Sequence, residues 1–145
     1  MMSNAETRHL ILLDTHAWIW LINGDEKLKS SKALPLIAQA AQLSNVKVSA
    51  ISVWEVSMLE AKGRISFPID CLDWVKKALN APGISLAPLT PEIAVLSSRL
   101  PGNFHGDPAD RIIVATALEL GSGLVTKDRK ILSYSESGAL NAFAI

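Results

Sequence analysis

This sequence predicts an α/β fold, a parallel sheet covered by helices. Short apolar runs alternate with helix-like stretches from end to end, and that alternation is the pattern of βα units. No repeat, low-complexity tract or long linker interrupts it. The chain has 145 residues, 49% of them hydrophobic, enough for one domain with its own core (1–145) and too few to make two.

Five strands are expected, at residues 9–13, 46–50, 84–87, 123–126 and 140–144. The last is the weakest because alanine is a poor strand former. Helices are expected at 15–23, 31–43, 52–62, 69–79, 91–100 and 108–120. Two helices between the first two strands already depart from a plain βαβ repeat. Ser52 and Glu55 read as an S-x-x-E capping box, and Asp107-Pro108 as an N-cap followed by proline at the first helical position. Gly63 and Gly121 suit helix ends, and Pro82-Gly83 and Pro101-Gly102 suit turns. Ile112, Ile113, Val114, Ala115, Ala117 and Leu118 make the last of these helices apolar on nearly every side, so it should be deeply buried.

Composition excludes several classes. Mean hydropathy is +0.26, yet no apolar stretch approaches the roughly 20 residues a spanning helix needs. The amino terminus is polar, lacks the pattern of a signal peptide, and is expected to be flexible over 1–8. The single cysteine, Cys71, has no partner for a disulfide or a thiolate cluster, and a cytoplasmic location is expected. Lys+Arg and Asp+Glu balance at 14 each, so any nucleic-acid role must rest on a local site.

The acids carry the chemistry. Asp14 directly follows Leu10-Ile11-Leu12-Leu13, and Asp128 comes two residues after Leu124-Val125-Thr126. Glu55 is expected in the first turn of the helix after the second strand, and Asp110 in the first turn of the buried helix. In an open parallel sheet, strand carboxyl ends and the helix amino ends that follow share one ligand-binding edge. That places Asp14, Glu55 and Asp128 on one rim; Asp110 reaches it only if the loop 101–107 returns the chain there. Each acid also has a plain structural explanation, since acids at helix starts cap or complement the dipole. Together they are harder to explain, because carboxylates about 5 Å apart repel by roughly 3 kcal/mol at an effective dielectric of 20. A divalent cation removes that repulsion. Oxygen-only ligands suit Mg²⁺ or Mn²⁺, and such ions favour phosphodiester hydrolysis.

Leu12-Leu13-Asp14-Thr15-His16-Ala17-Trp18, Ser52-Val53-Trp54-Glu55-Val56, Asp107-Pro108-Ala109-Asp110-Arg111-Ile112 and Leu124-Val125-Thr126-Lys127-Asp128-Arg129 together resemble a PIN domain of the VapC type, over nearly the whole chain. The resemblance implies a three-layer α/β/α sandwich and an acidic Mg²⁺ or Mn²⁺ site that cleaves RNA. It also implies a homodimer restrained by an antitoxin protein encoded next door. On this pattern Asp14 and Asp110 contact metal directly. Glu55 and Asp128 hold a second ion or position the attacking water, Thr126 steadies a ligand or water, and Asp107 is the cap. Leu59 departs from relatives that carry a lysine there.

His16 and His105 flank proposed acids and read as supporting or loop contacts, not bases. Arg111, Lys127 and Arg129 stand beside the site, as RNA contacts or simply as charge partners of the acids. Trp18 and Trp20 cannot share one core face, Trp74 has ordinary core spacing, and an exposed Trp54 would suggest an interface before a base-stacking role. Two rivals stay open. An aspartyl-phosphate receiver or phosphatase would need an acidic pair that Thr15 and His16 replace. A catalytically inactive PIN-like module would bind RNA or a partner without cutting.

Overall fold

The computed structural model describes residues 10–145; the expected flexible segment 1–8 and the strand start at His9 lie outside the described residues. The strands are β1 (Ile11–Leu13), β2 (Val46–Ser49), β3 (Ile84–Ala87), β4 (Gly123–Thr126) and β5 (Ala142–Ala144). They form one sheet in the order β3-β2-β1-β4-β5, every pairing parallel. Three helices join β1 to β2: α1 (Thr15–Asn23), α2 (Glu26–Lys29) and α3 (Ala33–Gln42). Next, α4 (Ala50–Ala61) and α5 (Cys71–Leu79) lead to β3, α6 (Pro91–Ser97) and α7 (Pro108–Leu120) to β4, and α8 (Arg129–Ser135) to β5.

Side chains alternate across the sheet, so the central strands β1 and β4 feed two cores. Ile11, Leu13, Val48 and Val125 point to one face, against Trp18, Ile37, Val56 and Trp74. Leu12 and Leu124 point to the other, against Ile113, Val114, Ile131 and Tyr134. This is the three-layer sandwich expected. Each fully buried Leu, Ile or Val contributes about 1.5–3 kcal/mol, and a one-residue slip of β1 would exchange its two faces. The register Leu13 beside Val125 and Val48 is thereby fixed. Among the described residues, no helix is long and apolar enough to cross a membrane.

Several boundaries differ from expectation for local reasons. Ser49, not Ser52, caps α4, its hydroxyl accepting from Ile51 N at 3.2 Å. The chain passes from strand to helix without a loop, so Ser52 falls inside the helix and is fully buried. The expected capping box is therefore absent, and Glu55 is the sixth residue of α4 rather than a first-turn residue. The short α2 and α8 are additional elements, capped by Asp25 and Asp128. The helix expected over 91–100 stops at Ser97. The buried helix is as expected: Asp107 accepts from Asp110 N at 2.8 Å, and the helix ends at Gly121.

The loop 101–107 does carry the chain back to the strand exits. Its fit depends on Gly106, where an added methyl would overlap the Phe104 ring and approach Asp110 Cβ to 2.9 Å. Phe104 is buried and packs on Tyr134, whose hydroxyl donates to Pro101 O at 2.6 Å. Gly106→Ala should destabilise the fold by about 1–3 kcal/mol, the ordinary cost of overpacking. Thermal unfolding checks this; the melting temperature should fall by about 3–10 °C.

Candidate active site

The order β3-β2-β1-β4-β5 reverses between β1 and β4. The chain first builds outward through β2 and β3, then returns to the other side of β1. Helices leave on opposite faces at such a switch point and open a crevice at the strand carboxyl ends. Asp14 is the residue on that line, its backbone N donating to Val125 O at 2.9 Å.

Asp14 is 6% exposed, and an ionised carboxylate so buried needs donors. It has three. Oδ1 accepts from Ala17 N at 2.7 Å, which caps α1. Oδ2 accepts from Thr126 Oγ1 at 2.6 Å and Lys127 N at 3.2 Å. Thr126 Oγ1 accepts in turn from Asp128 N at 2.9 Å, so one buried hydroxyl fastens the exits of β1 and β4 together. Burial still prevails, pushing the Asp14 carboxyl above its ordinary range against the pull of Thr126, Ala17 N and Lys127 N.

Glu55 is held by a second hydroxyl. Thr15 Oγ1 donates to Glu55 Oε1 at 2.6 Å and is hydrogen-bonded to Ser52 Oγ at 2.9 Å. Burial raises the Glu55 carboxyl, and Asp107, Asp14 and Asp128 raise it further by repulsion. Asp128 caps α8 through Ile131 N at 3.0 Å. Asp110, half-buried in the first turn of α7, is pushed up to about 7, first by burial and then by Asp107, Asp128, Glu55 and Asp14.

One cleft of about 200 Å³ is lined by Asp14, Glu55, Asp107, Asp110 and Asp128, with Thr15, His16, Lys127 and Ile113 completing the wall. The four acids singled out in the sequence thus meet in one place, and Asp107, the cap of α7, borders it too. Among the described residues, no ion pair neutralises any of them. Nor, among those residues, do three of His, Cys, Asp or Glu form a ready-made ligand set; both Asp14 oxygens, and one oxygen each of Glu55, Asp107 and Asp128, accept bonds from caps or hydroxyls. The donor set nevertheless fits a hard divalent ion, since every charged ligand is oxygen and each carboxylate raises its neighbours.

Other candidates separate. His16 lines the cleft and meets Trp20 edge-on at 6.1 Å. Its imidazole is pushed below the usual range by burial and by Lys127. Lys127 lies 5.7 Å from the Trp20 ring. His105 and Arg129 border a different cavity, of about 500 Å³, with Phe104 and Lys130. Arg111 turns inward: Nε donates to Ser97 O at 2.8 Å and Nη1 to Phe104 O at 2.7 Å. Its guanidinium ties the end of α6 at Ser97 to Phe104, across the irregular 98–104 segment. Thr15 and Ser52 were missed as site residues. Thr15 adjoins Asp14, and a small hydroxyl residue next to a strand-end acid is the available signal.

A parallel sheet with an acid-lined crevice at its switch point defines a class, and the PIN domain profile matches residues 11–136; the chain belongs to the PIN domain family. In particular, it is 39% identical over 124 residues to Ribonuclease VapC22 of Mycobacterium tuberculosis, covering 86% of this chain and 91% of that protein. A toxin–antitoxin complex from Klebsiella pneumoniae shares 26% identity at a TM-score of 0.58, over 81% of this chain and 86% of that one. The DNA-bound VapBC of Salmonella typhimurium shares the fold at a TM-score of 0.66 and 15% identity, over 93% and 97%. Membership of this family removes the phosphoryl-receiver reading.

Two outcomes follow from the geometry. Thr126→Val removes one donor to Asp14 and the acceptor for Asp128 N; it should cost about 1–3 kcal/mol by chemical denaturation, while Thr126→Ser retains most of it. Asp110 has a folded pKa near 7 against an ordinary 3.8, so between those values the folded state holds more proton than the unfolded state. Stability in EDTA should therefore fall as pH rises from about 4 to 7. Discounted for partial exposure, the effect at Asp110 is on the order of 1 kcal/mol. Asp110→Asn should flatten the slope and raise the metal-free melting temperature at pH 7.5 by about 3 °C.

Proposed function

We propose that this chain is a cytoplasmic divalent-metal-dependent ribonuclease, the toxin of a toxin–antitoxin pair. The observation that carries the reading is the gathering of Asp14, Glu55, Asp110 and Asp128 around one cleft, with none of them in an ion pair among the described residues. The 39% identity to a ribonuclease over most of both chains supports RNA as the substrate. Likeness to a toxin–antitoxin complex at 26% identity supports a cognate antitoxin as the partner.

In this reading Asp14 and Asp110 hold Mg²⁺ or Mn²⁺, and Glu55 and Asp128 complete the acidic ring. When bound, the ion supplies Lewis-acid stabilisation of charge on the phosphoryl oxygens and lowers the cost of ionising water. The protein supplies position. Asp14 is fixed by Thr126 and Lys127 N, so it needs no reorganisation as charge develops nearby. Glu55, oriented by Thr15 and raised in pKa, is placed to take a proton from the attacking water. Ile113 closes the cleft on the core side. Lys127, exposed at the rim, offers the cation that meets a phosphate of the incoming strand.

Antitoxin-free protein incubated with total RNA and labelled transfer RNAs, in Mg²⁺, in Mn²⁺ and in EDTA, tests the reading. Discrete cuts are expected with metal and none in EDTA, and Asp14→Asn and Asp110→Asn should each slow cleavage by roughly 100-fold or more. Folded protein that binds RNA and metal without cutting any RNA would leave the non-cleaving module as the better account.

A further inference from the structure

Trp54 is 55% exposed, whereas Trp18 and Trp74 are buried and Trp20 is partly covered. It lies on α4 one residue before Glu55, and Met58 and Lys62 follow at four-residue steps on the same helix face. With Leu59 and Arg64 they line a trough of about 310 Å³, whose other wall is the start of α7 at Pro108 and Ala109. Glu55 and Asp107 border both this trough and the acidic cleft, so the two are continuous. Lys62 and Arg64 border the trough but not the cleft. Both are exposed, and among the described residues neither forms an ion pair.

The trough joins the cleft through Glu55 and Asp107 and adds the exposed indole of Trp54 beside Met58 and Leu59, with the cations Lys62 and Arg64. A single RNA strand offers complementary groups: the phosphate under attack, a neighbouring base and a further phosphate. Each base presents a π-face to an aromatic platform, and each phosphate favours Lys or Arg. We propose that this trough is a substrate subsite taking one unpaired nucleobase against Trp54, with the phosphate beyond it met by Lys62 and Arg64. The inference rests on the ribonuclease reading and assigns Trp54 to substrate binding beside the cut. Trp54 acts here by binding and takes no part in bond cleavage.

The test uses the full chain carrying Asp110→Asn in Mg²⁺. Its probe is a short fluorescein-labelled single-stranded RNA spanning a site the wild-type protein cuts, intact or with one abasic nucleotide at each position flanking the cut. Trp54→Ala should weaken binding of the intact strand about tenfold, and Trp54→Phe should restore most of it. An abasic nucleotide at one flanking position should weaken binding to the parent protein yet add little to the loss in Trp54→Ala, the non-additivity of a direct contact. Replacing both Lys62 and Arg64 by Ala should reduce the dependence of log affinity on log salt by about 0.7, one single-strand phosphate contact. Unchanged RNA affinity in Trp54→Ala, or full additivity at every abasic position, overturns the subsite while leaving the ribonuclease intact. Unchanged RNA affinity together with loss of binding to the antitoxin encoded next door would make the trough a protein interface and overturns it as well. A wild-type chain that neither cuts nor binds RNA removes the ribonuclease reading, and the subsite with it.

Discussion

Asp14 sits almost out of water at the exit of the central strand, and its neighbourhood follows from the need to solvate a carboxylate there without solvent. Three protein donors do this. They come from the first turn of α1 and from the end of β4, so the same bonds that satisfy the acid also lock two parallel strands at the switch point. Other acids then approach a centre already negative. Asp110 shows the result, driven to about 7 by burial and by four acidic neighbours. The fold concentrates like charge where only a cation can discharge it, and accepts a local loss of stability for doing so.

Much of this was legible in the residues because the strands are short and apolar and because the decisive acids adjoin them. Asp14 directly follows its strand and Asp128 comes two residues after its own, so parallel topology alone put them on one edge. Asp107-Pro108 marked the start of α7 to the residue. That placed Asp110 in a first turn, though not on the rim; only the folded loop 101–107, seated by Phe104 and Gly106, accomplishes that.

What escaped did so for identifiable reasons. Helices α2 and α8 span four and seven residues, too short for a period of 3.6 to declare itself against noise. Ser52 and Glu55 have the spacing of a capping box, but Ser49 lies one turn earlier, directly at the strand end, and takes the cap. The spacing that suggested a cap instead puts Ser52 and Glu55 one turn apart on a helix face, where both meet Thr15. Arg111 beside Asp110 invites an electrostatic reading, yet the carbonyls of Ser97, at the end of α6, and of Phe104 claim its guanidinium.

That inward turn of Arg111 changes what a polyanion meets on approach. The chain is formally neutral, and both the Arg111 guanidinium, committed to carbonyls inside the fold, and the buried Asp14 carboxylate present less of their field to solution. Long-range attraction then does little to gather nucleic acid at random. In the ribonuclease reading, retention of an RNA then rests on the contacts at the cleft mouth. Selectivity in such a molecule is set by how long a strand stays, not by how readily it arrives.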